Sequence, residues 1–250
     1  MADTKRYFIE ISYKGTNYHG WQVQPNALTV QEVLDKALST YFRQPVETLG
    51  CGRTDTGVHA TQFFAHFDLQ NTNLTNPEQA LQSINSLLPF DISASKLIET
   101  GPAAHARFDA TLRSYEYHIH YSKSPFLHDL SWLLRDRLHV ANMNKAAALL
   151  SAYTDFSCFS KSNTQVFTNN CKISRAEWTE TKQGLIFHIS ADRFLRNMVR
   201  AIVGTMVEIG KGKLSPEAIH EIIKSKNRSN AGASVPACGL YLTRVEYPYI

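Results

Sequence analysis

Long apolar runs are missing from this 250-residue chain. No stretch approaches the roughly 20 residues that a membrane-spanning helix needs. The opening residues, Met1-Ala-Asp-Thr-Lys-Arg6, lead straight into an alternating pattern without a signal-peptide core, so a cytoplasmic location is the expectation. Cysteine is scarce: Cys51, Cys158, Cys171 and Cys238 stand far apart and form no C-x-x-C pair. That spacing argues against a zinc knuckle or a dithiol redox motif and suits reduced, packed thiols. The ten histidines are scattered. His118 and His120 would share one strand face, but no third ligand stands near them, so no metal is expected. Low-complexity segments and long linkers are lacking too.

What is there begins with charge. Residues 1–102 hold 7 Lys and Arg against 10 Asp and Glu, a net of −3, and residues 103–250 hold 19 against 12, a net of +7. A basic excess in one half suggests an anionic partner, most commonly nucleic acid.

Residues 5–13 alternate, with Tyr7, Ile9, Ile11 and Tyr13 on one face, and read as a half-buried strand. After a polar, aromatic loop over 15–25, Thr29-Val-Gln-Glu32 has capping-box spacing, and apolar residues recur at helical spacing from Val30 to Tyr41. A short strand is predicted near 46–51, a loop over 52–60 and a strand near 61–69. Asn76-Pro77 opens a second helix as N-cap and first helical residue, and a strand near 92–99 follows. The second part repeats the plan: a strand over 111–121, a helix near 142–152, strands near 172–180 and 184–191, a helix over 194–209, a helix opening at Ser215-Pro216, and a last strand near 240–247. The pattern implies two α+β units, 1–104 and 105–250, each an antiparallel or mixed sheet with helices packed on one side.

Four segments carry candidate chemistry. In Gly50-Cys-Gly-Arg-Thr-Asp-Thr-Gly-Val-His-Ala60, glycines allow tight turns and close approach to a ligand, and Arg53 and Asp55 stand two residues apart at a strand exit. The same spacing also suits a plain Asx turn beside a solvated arginine. Arg113-Ser-Tyr115-Glu-Tyr117 places aromatics beside a cation, which suits stacking on an unpaired base or an aromatic ladder within a core. On the helix expected over 194–209, Arg193, Arg196 and Arg200 would line one flank of an apolar stripe, as an anion site or a solvated flank. Val235-Pro-Ala-Cys-Gly-Leu240-Tyr-Leu reads only as a turn before a strand.

Taken in order along nearly the whole chain, these segments resemble the tRNA pseudouridine synthase A (TruA) family. The resemblance is carried by Tyr13-Lys-Gly-Thr-Asn-Tyr-His-Gly-Trp-Gln22, Gly52-Arg-Thr-Asp-Thr-Gly-Val-His-Ala60, His105-Ala-Arg-Phe-Asp-Ala110, Arg113-Ser-Tyr-Glu-Tyr117, Phe194-Leu-Arg-Asn-Met-Val-Arg-Ala-Ile-Val-Gly204 and Gly239-Leu-Tyr-Leu242. It implies two ferredoxin-like halves with mostly antiparallel sheets, helices on one face and a basic active-site cleft between them. It also implies a homodimer that isomerises uridine to pseudouridine at tRNA positions 38–40, in the anticodon arm. Within that resemblance Asp55 matches the catalytic aspartate, and Arg53 the arginine that helps turn the base out of the stack. Tyr115 matches the tyrosine stacked on the target uracil, Arg200 the cation paired with the aspartate, and Leu240 an apolar residue lining the uracil pocket. Thr56, Ser114 and Ala237 depart from the family's usual Ala, Arg and Pro. Ser114 thereby removes one phosphate contact and bears on affinity rather than chemistry.

The implied reaction breaks the bond from ribose to uracil N1, turns the base and rejoins it through C5. Nothing is oxidised and no group enters, so no redox cofactor or metal is called for. A carboxylate supplies the nucleophile or base. Two other readings fit the basic half and the carboxylate: a non-catalytic tRNA-binding protein and a nucleoside glycosylase.

Overall fold

The computed structural model describes residues 4–71, 74–161 and 168–250. Its fold class is α+β, with mostly antiparallel strands and five α-helices among the described residues. The chain divides into two compact units, residues 1–111 with 242–250, and residues 112–241.

In the first unit, β1 (Thr4–Tyr13) is followed by α1 (Val30–Phe42), β2 (Leu49–Gly50), β3 (His59–Gln70), α2 (Pro77–Leu87) and β4 (Ile92–Thr100). β1 lies between β4 and β3, antiparallel to both, and β2 pairs with β3. The Thr29 side chain caps α1 by accepting from the Glu32 N–H at 3.3 Å, and the Asn76 side chain caps α2 by accepting from Gln79 N–H at Oδ1, 3.1 Å, as the sequence predicts. α1 ends where Arg43 turns left-handed, φ 54°, just before Pro45. Val30, Leu34 and Leu38 of α1, Ala80 and Ile84 of α2, and Tyr7, Ile9, Ile11 and Phe63 of the strands are all buried.

Two expectations need correcting here. β1 is not half-buried at its middle: Phe8, on the face expected to be open, is fully buried under the edge of Tyr247, 5.4 Å away, and the His66 ring. The strand near 46–51 pairs only at Leu49–Gly50, because α1 side chains take the backbone donors before it. Val46 N–H donates to Ser39 Oγ at 2.9 Å and Thr48 N–H to Asp35 Oδ1 at 3.0 Å.

The second unit holds β5 (Leu112–His120), β6 (Trp132–Leu133), α3 (Val140–Leu149), β7 (Ile173–Glu180), β8 (Gly184–Ala191), α4 (Met198–Gly210) and α5 (Ala218–Ser225). β8 runs antiparallel between β5 and β7. Tyr117, Trp178, Phe187 and Ile189 are buried, as are Met143 and Ala146 of α3 and the apolar stripe of α4, and the Trp178 and Phe187 rings lie 4.9 Å apart. α3 starts two residues earlier than the sequence suggests because the ring of His139 acts as its cap, 3.3 Å from Asn142 N–H. Ser215-Pro216 opens a turn, and regular helix begins at Ala218. The last strand, β9 (Leu240–Glu246), starts in this unit and finishes in the first.

Candidate active site

In the first unit, Arg53 and Asp55 sit in the loop between β2 and β3. Between them Thr54 is buried and held from two sides. Its hydroxyl is 2.9 Å from the Tyr13 hydroxyl, and its carbonyl accepts from Trp21 N–H at 3.3 Å. On either side of this anchored residue, Arg53 is exposed and Asp55 half-buried. The turn then closes with Val58 N–H on the Asp55 carbonyl, 3.1 Å, and Gly57 supplies the left-handed φ of 78° that this turn requires.

A second loop braces the first. Gly57 N–H donates to the Tyr18 carbonyl, and Gly15 N–H donates to His59 Nδ1 at 3.0 Å. A Cβ at Gly20 would stand 2.3 Å from the Thr54 carbonyl oxygen, so only glycine lets the two backbones pass. Gly50 likewise makes room for the Trp21 ring, which stacks 4.2 Å from Phe63. The aromatic segment over 15–25, unexplained by spacing alone, is thus the scaffold of the Asp55 loop. Gly52 differs: a Cβ there would meet nothing within 4 Å.

Tyr115, Arg200 and Leu240 all belong to the second unit. Tyr115 is half-exposed on β5, with its ring at right angles to Phe194 and 5.1 Å away. Arg200 rides on α4 and donates from Nε to the Val235 carbonyl at 2.7 Å, while its own carbonyl accepts from Val235 N–H. The next residue, Pro236, accepts from the Tyr117 hydroxyl at 2.8 Å. Gly239 packs so closely that a Cβ would lie 2.7 Å from the His118 carbonyl. The segment 235–240 is therefore pinned both to the helix that carries Arg200 and to the strand that carries Tyr115, and it ends in the buried Leu240.

The expected flank of three arginines is not formed. α4 starts at Met198 because Asn197 adopts φ 66°, so Arg193 and Arg196 precede the helix and Arg200 alone of the three is on it. Other residues that shape this region escaped sequence reasoning. Asn197 bonds the Ser234 hydroxyl through Nδ2, and Arg228 donates to the carbonyls of Ala231 and Gly232 and to Ser234. One signal was available: an isolated glycine in a helix, Gly204, usually marks close packing. A Cβ there would lie 1.8 Å from the Ala233 carbonyl.

Of the departing residues, Ser114 shares a 2.8 Å hydroxyl bond with Ser190, Thr56 is exposed, and Ala237 opens a short turn. Burial pushes the Cys158 and Cys171 thiols up to about 12, which makes them poor nucleophiles at neutral pH. His118 Nε2 lies 2.8 Å from Glu116, whereas His120 is buried. No group of three or more His, Cys, Asp or Glu suited to a metal ion occurs among the described residues.

Comparison with known proteins adds an independent line. A family model described as tRNA pseudouridine synthase matches residues 146–248. A tRNA pseudouridine synthase A of Bacteroides fragilis is 50% identical over 245 residues, spanning 98% of this chain and 97% of that one. The proteins of the same name from Parabacteroides distasonis and Porphyromonas gingivalis are 47% and 49% identical, each alignment spanning at least 96% of both chains. A solved structure of an unknown protein from Galdieria sulphuraria covers 84% of this chain and 94% of that one at 10% identity. Its TM-score of 0.23 is too low to inform the fold.

Proposed function

This chain belongs to the tRNA pseudouridine synthase A family, and from that premise we propose that it isomerises uridines at positions 38–40 of the tRNA anticodon arm, with Asp55 as nucleophile. It is an isomerase that forms pseudouridine in tRNA. The observation that supports Asp55 as the nucleophile is the buried Thr54, which anchors the loop between an exposed cation and a half-buried carboxylate. A fixed loop suits a reaction whose acceleration comes largely from alignment.

In this reading the target nucleotide leaves its stack with help from Arg53. Extrusion costs roughly a few kcal/mol, and stacking on Tyr115 returns about 1–3 kcal/mol. The carboxylate of Asp55 adds to the bound nucleotide and the bond from ribose C1′ to N1 breaks. The uracil turns against Leu240, C5 takes up the bond to C1′ and loses its proton, N1 gains one, and the bond to Asp55 breaks to free the carboxylate. Arg200 is assigned as the cation that partners the Asp55 carboxylate. Its Nε bond to Val235 gives that guanidinium a set direction. The enzyme is further proposed to work as a homodimer in the cytoplasm, on the family resemblance alone.

The test is an anticodon-arm transcript with tritium at uracil C5, incubated with wild type. Release of label from an intact RNA chain is expected. Free uracil with an abasic site would identify a glycosylase instead, and tight binding without release would contradict the assigned substrate.

A further inference from the structure

One motif of the sequence finds no use in this chemistry: His105-Ala-Arg-Phe-Asp-Ala110. It lies in the first unit, in the loop after β4, and nearly every polar group in it is spent on holding its own shape. The imidazole of His105 accepts two backbone N–H groups at Nδ1, from Arg107 at 3.1 Å and Phe108 at 3.2 Å. Asp109 Oδ2 accepts from His105 N–H and from the Tyr249 hydroxyl, both at 2.7 Å. Beneath, fully buried Ala106 donates to His66 Nδ1 at 3.1 Å and accepts from the Tyr247 hydroxyl at 2.6 Å. Arg6, clamped on Asp68 by two 2.7 Å bonds, donates to the Ala104 carbonyl.

This clamped loop carries an outward phenylalanine. Phe108 is 73% exposed, its ring rests against His105 with centroids 4.3 Å apart, and the Arg107 guanidinium carbon lies 5.6 Å from its centre. The loop's hydrogen bonds use the backbone of Phe108 and none of its side chain, so loop closure gives no reason for a large apolar ring there. An aromatic ring that is 73% exposed on a clamped loop, with a cation over it, is the chemistry that receives an unpaired base and its phosphate.

We propose that Phe108 and Arg107 form a second RNA contact, in which an unpaired nucleotide of the tRNA stacks on the Phe108 ring and a phosphate meets Arg107. The proposal rests on the reading that tRNA is the substrate. His66, under this loop, and His59, beside the Asp55 loop, lie seven residues apart on β3, or roughly 23 Å along the strand. The contact is thus remote from the reacting uridine and acts on capture and register. His105 is a positioning residue for the ring, since its unprotonated Nδ1 folds the backbone of Phe108 into place.

The experiment measures binding of a full-length tRNA transcript, pseudouridine formation and melting temperature for wild type, F108A and F108W. F108A is expected to bind about tenfold more weakly and to raise KM in step, with kcat at saturation and melting temperature unchanged. F108W is expected to bind like wild type, with emission that the transcript quenches beyond the change seen in wild type. Unchanged affinity in F108A overturns the proposal. So does an F108W emission change that follows protein concentration without RNA, which would assign the ring to a contact between copies. A wild type that binds RNA yet forms no pseudouridine would instead refute the functional reading, and the F108A and F108W binding results would still decide the stacking contact.

Discussion

Tyr115 stands half-exposed on β5, its ring set at right angles to Phe194, 5.1 Å away. If it stacks on the target uracil, the hydroxyl is dispensable and the ring is not. Tyr115→Phe is expected to keep most of the isomerisation rate, and Tyr115→Ala to lose about 5- to 150-fold, in line with about 1–3 kcal/mol per stacked base. Equal rates in a pseudouridine assay would refute the stacking role. At this scale the sequence identified the candidate residues, Arg53 and Asp55, but not what anchors the loop between them. Thr54 looks unremarkable in the chain, and its anchors, Tyr13 and Trp21, come from more than thirty residues upstream. Long-range partners of that kind have no local signature.

Among the elements, strands with clear alternation and helices with side-chain caps were legible, because Thr29 and Asn76 satisfy orphan N–H groups in ways that spacing reveals. α4 was legible in its apolar stripe and not in its start. The periodic pattern ran back to Phe194, while the left-handed Asn197, tied to Ser234, interrupts it. The same segment explains Gly204. Gly204→Ala would drive a methyl group into the Ala233 carbonyl, 1.8 Å from the new carbon, and overpacking of this kind costs about 1–3 kcal/mol. A melting temperature lower by several degrees is expected. Gly52→Ala, with nothing within 4 Å, is expected to melt within about a degree of wild type. Similar melting of the two variants would mean that the close passage of α4 and residues 231–235 is not what glycine serves there.

For the molecule as a whole, buried His66 and half-buried Asp35 give stability a pH dependence of opposite sign. Burial, with Arg6 and His105 nearby, lowers His66 to about 4, so its contribution is present above the usual histidine value and is lost as pH falls through 4. Burial raises Asp35 to about 6, so its contribution is present at low pH and is lost as pH rises through 6. Near neutrality the Asp35 charge costs about 2–3 kcal/mol. Both Thr48 donors reach Oδ1, which an amide retains. Asp35→Asn is therefore expected to raise the melting temperature by several degrees at pH 7.5, with the gain shrinking toward pH 4. A constant gain across that range would show that the carboxyl is not titrating there.

The basic excess beyond residue 102 pointed to an anionic partner at the scale of the whole chain, and the family makes that partner tRNA. Phosphate contacts dominate the affinity of such a protein, whereas the chemistry is assigned to one carboxylate. The deciding measurement sets these apart: tRNA binding and pseudouridine formation by Asp55→Ala and wild type in the same samples. The expected result is no detectable pseudouridine with affinity within about tenfold of wild type. Appreciable pseudouridine formation without the Asp55 carboxylate would contradict its assignment as the nucleophile.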